Sequence, residues 1–368
     1  MEKNSSYQRY HRQLILPGFG NEAQQKLLHS RVLVIGAGGL GCPVLMNLTG
    51  MGVGVIGVVD DGLVELSNLH RQLLYDMDDI AELKTTAARK KLQRMNPDIK
   101  ISTYPIRLNN HNATEILNNY DLIVDCTDNF PTRYMLTDAC WLLKKQLVFG
   151  AVSRYEGQVS VFSNKTTYRD IFPEPPQEGE IADCNEAGVL GVLPNIVGNF
   201  MANECIKIIT GIGETLKGKL LTYSALNNDS FIIEINNDGP DSNMMPKTIE
   251  LFREMNYEAL CGVDPSETID LFKFEQLLQQ NNTLVIDVRE PDELPELIIP
   301  HKRISLSELK NSIPETDQTI VFICQSGKRS LQAVSIYKEK QPSLTGKVFS
   351  LQNGVNSIDK KYTHSSGI

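Results

Sequence analysis

Two short regions of the chain hold the residue types and spacings that do chemistry. In the first, the apolar run Arg31-Val-Leu-Val-Ile35 leads into Gly36-Ala-Gly-Gly-Leu-Gly41, and Asp60 closes the next apolar run at 55–59. A glycine turn between a strand and a helix lets backbone amides approach phosphate, while the helix N-terminus favours negative charge. A carboxylate at the end of the following strand can accept hydrogen bonds from ribose hydroxyls. Taken alone, Gly36, Gly38, Gly39 and Gly41 with Asp60 describe an NAD site as well as an ATP site. The residues beyond Asp60 separate the two: Ser67-Asn-Leu-His-Arg-Gln72, then Lys84, then Thr127-Asp128-Asn129. Two cations, an asparagine and a strand-end carboxylate suit a triphosphate with magnesium, because departing pyrophosphate builds negative charge that must be neutralised. ATP with Mg2+ is therefore expected. Asp128 has a second reading as the N-cap of a helix beginning near Phe130.

In the second region, Thr319-Ile-Val-Phe-Ile-Cys324 is an apolar strand that runs directly into Gln-Ser-Gly-Lys-Arg-Ser330. A strand, loop and helix in this order set Cys324 at the base of a ring of backbone amides facing a helix N-terminus, an environment that stabilises a thiolate or persulfide. Lys328 and Arg329 add positive charge. A further thiol, Cys184, sits in Asp183-Cys-Asn-Glu-Ala-Gly-Val189, after a stretch rich in Pro, Glu and Gly. It reads equally as a covalent participant and as an inert cysteine at a helix start. Cys42, Cys126, Cys140 and Cys205 read as small buried hydrophobes.

These residues need a scaffold, and the pattern supplies one. Short apolar runs at 31–35, 55–59, 99–104 and 122–125 alternate with helical patterns at 42–51, 84–95 and 113–118, the signature of a doubly wound parallel sheet with both faces covered. Runs at 159–162, 220–223 and 231–235 are expected to be further strands, and 189–212 a core helix. Asn, Asp, Gly, Pro and Met crowd the stretch after Asn236, with one short helical pattern at 248–255, so a linker is expected there. Strands at 284–288 and 320–323 and a helix after Cys324 then make a smaller α/β unit. The expected division is 1–240, a linker at 241–266, and 267–368.

Size and charge narrow the function. A chain of 368 residues exceeds what one core usually holds. A net charge of -9 argues against a broad polyanion-binding face, so nucleic acid is not expected as a partner. Seven cysteines form no dense framework, which fits a reducing compartment. No stretch reads as a membrane span, and a cytoplasmic location is expected.

Arg9-Tyr-His-Arg-Gln13 with Leu16-Pro-Gly18, the glycine turn, Ser67 to Gln72, Asp125-Cys-Thr-Asp-Asn129 and Glu156-Gly-Gln158 together resemble the MoeB/ThiF family of ubiquitin-activating-type adenylyltransferases over residues 7–235. The resemblance implies a Rossmann-like sheet that binds ATP through the glycine turn, Asp60, Asn68, Arg71, Gln72 and Lys84. It also implies magnesium on Asp128 and a homodimer in which Arg12 reaches the triphosphate of the other subunit. The family often carries a second acid where this chain has Gly62. Its common zinc site needs two C-x-x-C pairs, and the matching positions here are Thr167-Tyr-Arg-Asp170 and Glu258-Ala-Leu-Cys261, so zinc is expected to be absent.

The Cys324 loop and Asp287-Val-Arg-Glu290 resemble the rhodanese-like domain. The four residues between Cys324 and Arg329 make the shorter loop of sulfurtransferases, although Ile299-Pro-His-Lys302 replaces that family's usual Gly-His segment. The combination implies an enzyme that adenylates the C-terminal glycine of a small ubiquitin-like sulfur-carrier protein ending in Gly-Gly. A persulfide on Cys324, charged by a donor such as a cysteine desulfurase or thiosulfate, would then convert the adenylate to a thiocarboxylate. The alternatives are a peptide- or tRNA-adenylating relative and a non-catalytic scaffold for a ubiquitin-like partner.

Overall fold

The computed structural model describes residues 2–175, 188–235, 245–261, 265–280, 282–309, 313–314, 316–325, 327–341, 347–352, 354–358 and 362–364. The chain divides into two compact units, the first reaching Tyr257 and the second beginning at Glu258.

The first unit is built on an eight-stranded sheet of β1 (Arg31–Ile35), β2 (Val55–Val59), β3 (Lys100–Tyr104), β4 (Leu122–Asp125), β5 (Gln146–Ser153), β6 (Glu156–Phe162), β7 (Lys219–Ser224) and β8 (Ser230–Glu234). Their spatial order is β3-β2-β1-β4-β5-β6-β7-β8. The first five in space run parallel and the last three antiparallel. The parallel strands are apolar along most of their length because helices cover them on both sides; β1 buries four of its five residues and β4 all four.

The helices are α1 (Glu2–Leu14), α2 (Gly20–His29), α3 (Gly41–Met51), α4 (Lys84–Met95), α5 (Ala113–Asn118), α6 (Phe130–Leu142), α7 (Leu193–Thr210) and α8 (Ile249–Glu254). The α3 helix packs on α7, burying Val44, Leu45 and Leu48 from one and Val197, Met201 and Cys205 from the other. The α1 helix docks through the buried hydroxyl of Tyr10, which accepts from Asn96 Nδ2 at 2.8 Å. Helix α8, within the stretch read as linker, is held to the first unit by Asn110, whose Nδ2 donates to the carbonyls of Arg253 and Met255 at 2.8 Å each. No helix among the described residues is long and apolar enough to cross a membrane.

The second unit is a five-stranded parallel sheet made from β9 (Thr268–Ile269), β10 (Thr283–Asp287), β12 (Lys302–Arg303), β13 (Thr319–Ile323) and β14 (Val348–Leu351), in the order β12-β10-β13-β14-β9. A separate pair, β11 (Glu296–Leu297) and β15 (Thr363–His364), is antiparallel. The helices α9 (Leu271–Leu278) and α10 (Lys328–Lys340) join two apolar clusters: Phe274 and Leu277 pack with Val321 and Ile323, and Val334 and Tyr337 pack with Ile320 and Phe322.

One polar cluster is buried in the first unit. Asp138 on α6 is inaccessible to solvent and accepts from Arg169 Nε at 3.0 Å, from Arg169 Nη2 at 2.9 Å and from the Tyr257 hydroxyl at 2.9 Å. The Arg169 guanidinium also lies 4.8 Å from the centre of the Tyr134 ring. These bonds join α6, the turn at Tyr168–Asp170 and the end of the unit. Removing one partner of a buried ion pair leaves the other charge desolvated. Asp138→Ala is therefore expected to lower the unfolding free energy by about 3–5 kcal/mol, with a smaller loss for Asp138→Asn. Urea unfolding followed by circular dichroism measures this, and a loss under about 1 kcal/mol, the range of an exposed pair, contradicts it.

Candidate active sites

In a doubly wound sheet, ligands bind beyond the carboxyl ends of the strands where strand order reverses. Here the order reverses between β1 and β4, and the residues that leave those strands are Gly36 and Cys126. Gly36 adopts φ +92°, and a Cβ there would lie 2.7 Å from the Cys126 carbonyl oxygen, so both the turn and the close approach of the two strand ends demand glycine. Gly38 faces open space except for Gln72 Nε2, 3.7 Å from where a Cβ would stand; Gly39 lies against Pro194, and Gly41 starts α3. The turn is pinned by the Tyr75 hydroxyl, which donates to the Ala37 carbonyl at 2.9 Å.

Asp60 leaves β2 beside this turn. Its Oδ2 accepts from the Ala37 amide at 2.7 Å and its Oδ1 from the Gly62 amide at 2.8 Å. A Cβ on Gly62 would sit 3.1 Å from Asp60 Oδ1 and 3.3 Å from Lys84 Nζ. Lys84, which opens α4, thus comes to lie beside Asp60 and close to the position of the missing second acid. The excursion between β2 and α4 is closed at its base by the Leu63–Leu83 bridge and by Val64 donating to Glu82 at 2.9 Å. It carries Asn68, Arg71 and Gln72. Asn68 and Gln72 are buried, yet Asn68 Oδ1 and Gln72 Oε1 have no hydrogen-bond partner. A buried carboxamide oxygen left unpaired costs about 1–3 kcal/mol, so both fit a site that a polar ligand completes. Arg71 is partly exposed; its Nη1 donates to the Ser67 carbonyl at 2.9 Å, and its own carbonyl accepts from Asn195 Nδ2 on α7 at 3.2 Å.

At the end of β4, Asp125 is fully buried. Its Oδ1 accepts from the Thr127 amide at 2.9 Å and the Thr127 hydroxyl at 2.7 Å, while Oδ2 is unpaired. Burial pushes this carboxyl up from its ordinary range, opposed by the positive charge of Arg133 and the Thr127 bonds. Arg133 Nη2 donates to the Thr127 carbonyl at 3.1 Å. The turn is therefore held from below, and it presents Asp128 exposed at the surface. The N-cap of α6 is Asn129, whose side chain accepts from the Thr132 amide at 3.0 Å, which leaves Asp128 outside the capping role. Arg12 is exposed in the last turn of α1.

At the positions that match the zinc-binding cysteines, Thr167 and Asp170 bond to each other: Asp170 Oδ2 accepts from the Thr167 amide at 2.6 Å and from its hydroxyl at 2.9 Å. Cys261 is buried. Cys184 lies outside the described residues.

In the second unit, Cys324 follows β13 and is 1% exposed. Its sulfur accepts from the Gly327 amide at 3.1 Å and stands 3.5 Å from the Ser330 hydroxyl. Gly327, at φ +91°, caps α10 in a conformation that side chains resist. Its carbonyl accepts from the hydroxyls of Ser330 at 2.9 Å and Ser350 at 3.1 Å, which anchors the glycine whose amide points at the sulfur. The Cys324 carbonyl accepts from Val355 at 2.8 Å. The sequence reading treats Arg329 as added positive charge, but the structure pairs it with Glu293: Nη1 to Oε1 at 2.5 Å and Nη2 to Oε2 at 2.6 Å. Arg289, fully buried, is spent on Asp287, Gln325 and the Pro295 carbonyl. The Arg329–Glu293 pairing has no local sequence signal, because its partners stand 36 positions apart and meet only through the loop geometry.

Comparison with known proteins follows the same two-part division. The ThiF family model matches residues 10–244, and the Rhodanese-like domain model matches residues 272–361. The "Sulfur carrier protein adenylyltransferase" of Thermus thermophilus is 48% identical over 264 residues, covering 69% of this chain and 96% of that protein. The "Probable adenylyltransferase/sulfurtransferase MoeZ" of Mycobacterium tuberculosis is 40% identical over 352 residues, covering 90% and 88%. The "Adenylyltransferase and sulfurtransferase MOCS3" of Drosophila sechellia is 36% identical, covering 92% and 80%. Among solved structures, E. coli MccB with MccA-N7isoASN superposes with a TM-score of 0.57 at 20% identity, over 66% of this chain and 75% of that one, a likeness of fold alone.

Proposed function

We infer that this chain, which belongs to the ThiF family and carries a rhodanese-like domain behind it, is an enzyme with adenylyltransferase and sulfurtransferase activities that acts on a ubiquitin-like sulfur-carrier protein. The observation that carries this reading is the pairing, within one chain, of a switch-point cleft formed by the glycine turn, Asp60 and Lys84 with a cysteine whose sulfur takes an amide hydrogen bond at 3.1 Å.

ATP is the first substrate. The glycine turn and Asp60 would hold its ribose and phosphates, with the unpaired oxygens of Asn68 and Gln72 accepting from hydroxyl or amino groups of the nucleotide and Arg71 and Lys84 supplying the positive charge. A carboxylate oxygen of the carrier's C-terminal glycine attacks the α-phosphorus, and the bond to the β-phosphoryl oxygen breaks. Arg71 and Lys84 neutralise the charge that gathers on the pyrophosphate. Asp128 would hold magnesium, which supplies further neutralisation at the same oxygens. The product is an acyl-adenylate, a far better acyl donor than a free carboxylate.

The terminal sulfur of a Cys324 persulfide then attacks the acyl carbon and AMP leaves, giving a disulfide between the acyl sulfur and Cys324. A second thiol reduces that bond, releasing the carrier thiocarboxylate and leaving Cys324 in a mixed disulfide with that thiol. A peptide-adenylating relative would need none of this machinery, and the Gly327 amide aimed at Cys324 favours sulfur transfer.

We extend the reading to a homodimer. Leu63, Leu66, Leu73, Met77, Ile80 and Leu83 are exposed within the excursion that carries Asn68, Arg71 and Gln72, a surface that a second copy would cover, and the family resemblance assigns Arg12 to the other subunit's triphosphate. The cysteines among the described residues form no disulfide, which suits a cytoplasmic setting. Thr167 and Asp170, which stand in place of thiolates and bond to each other, make a poor zinc pair, and this supports the reading that the chain works without zinc.

The adenylation half is tested by ATP–pyrophosphate exchange in the presence of a Gly-Gly carrier. Asp128→Ala is expected to reduce exchange by at least about 100-fold, the usual effect of removing one electrostatic stabiliser, and a rate within about threefold of wild type contradicts the assignment. Elemental analysis is expected to find no stoichiometric zinc, and a chelator to leave the Tm unchanged. A full zinc complement in the purified protein contradicts this.

A further inference from the structure

Of the charged groups at the Cys324 loop, the structure shows how the Arg329 guanidinium is spent. The Arg329 guanidinium, at the start of α10, is close enough to interact electrostatically with Cys324. Both of its terminal nitrogens face the two carboxylate oxygens of Glu293. The pair is partly open, with side-chain exposures of 25% for Arg329 and 30% for Glu293, so an anion in solution can sense its charge. Arg289 offers nothing further, being buried and committed to three other groups.

The Glu293 carboxylate is a prepared partner rather than a chance surface contact. Glu293 lies in a tight turn whose Glu290 amide donates to Glu293 Oε1 at 2.8 Å, and whose Glu293 amide donates to the Glu290 carbonyl at 3.1 Å. Arg303 Nη2 fixes that turn by donating to the carbonyls of Glu290 at 2.6 Å and Glu293 at 2.9 Å. Hydrogen bonds from Arg329 hold the Glu293 carboxyl below its ordinary range, so it stays charged at neutral pH. A bidentate pair built into such a network keeps its geometry where an isolated exposed pair does not.

Resting on the sulfur-transfer reading above, we propose that Glu293 selects the sulfur donor: by occupying Arg329 it denies small dianionic donors such as thiosulfate their counter-charge, and so favours a cysteine persulfide presented by a partner protein. With thiosulfate, the Cys324 thiolate attacks the outer sulfur, a sulfur–sulfur bond forms to Cys324, the bond to the sulfonate sulfur breaks, and sulfite leaves with the electron pair. With a protein persulfide, the same attack on the terminal sulfur releases the donor cysteine as a thiolate. Both transfers are balanced without an external oxidant or reductant. They differ in charge: thiosulfate brings two negative charges to a mouth where the guanidinium is already matched by a carboxylate, and a protein donor makes its contacts over a wider surface.

The test is loading of the full chain from two donors, thiosulfate followed by sulfite release and a persulfidated cysteine desulfurase followed by mass spectrometry of Cys324. Glu293→Gln is expected to raise the ratio of kcat/KM for thiosulfate over the protein donor by at least about tenfold, equivalent to 1.4 kcal/mol. The gain should show in the KM for thiosulfate, should shrink as salt rises, and should vanish in the double variant Glu293→Gln with Arg329→Gln. Glu293→Asp, which retains the charge, should restore most of the wild-type ratio; if Glu293→Gln does not fold, Arg329→Gln alone must lower the wild-type ratio, since it leaves the Glu293 carboxylate unmatched in the path of a dianion, and an unchanged or higher ratio in that variant overturns the proposal. An unchanged or lower ratio in folded Glu293→Gln overturns the proposal and leaves the sulfur-transfer reading standing. A wild type loaded by neither donor overturns both.

Discussion

The first amides of a helix have no partner within the helix, and a parallel strand that turns straight into a helix aims them at whatever stands beyond the strand end. Both sites here depend on that constraint. In the first unit β1 feeds α3 through the glycine turn, and in the second β13 feeds α10 through the Cys324 loop. The chemistry differs because of what fills the turn. Glycines leave room for a phosphate chain, whereas Cys324 fills the loop with a sulfur that already accepts the Gly327 amide.

Each turn is made rigid by groups that do not themselves react. Tyr75 ties down the Ala37 carbonyl and Asp60 takes the Ala37 amide; Ser330 and Ser350 together hold the Gly327 carbonyl. Buried charge is handled in the same spirit. Asp138 with Arg169 and Asp287 with Arg289 are fully or nearly fully buried carboxylate–guanidinium pairs. Such pairs contribute little net stability over an apolar replacement but penalise any arrangement that separates them.

Much of this was legible in the sequence because it is local. The strands at 31–35, 55–59 and 122–125 and the helices after the glycine turn and after Cys324 follow from apolar runs and turn residues a few positions apart. Strand β5 has no clear signal in the sequence, since Gly150 interrupts its apolar run and glycine ordinarily weakens a strand. Met201 on α7 packs where a side chain at 150 would be, its sulfur 2.2 Å from that point, so the glycine is what lets the helix approach. The roles of Asp125, Arg133, Asp138 and Glu293 were equally hidden. Each depends on a partner or a degree of burial that only the folded chain defines, and Glu293 meets Arg329 across 36 positions. The residues with a transferable spacing could be found; those that hold or modulate them could not.

The central claim is that activation and sulfur delivery belong to one chain and meet at the carrier's C-terminal carboxyl. Mass spectrometry of a Gly-Gly carrier, incubated with the full chain, ATP, magnesium, a sulfur donor and a thiol, tests it most directly. The wild type should replace one carboxylate oxygen with sulfur, and Cys324→Ser should form the adenylate while producing no thiocarboxylate. Thiocarboxylate formed by Cys324→Ser at the wild-type rate would contradict the account and move the sulfur step to Cys184 or to free sulfide.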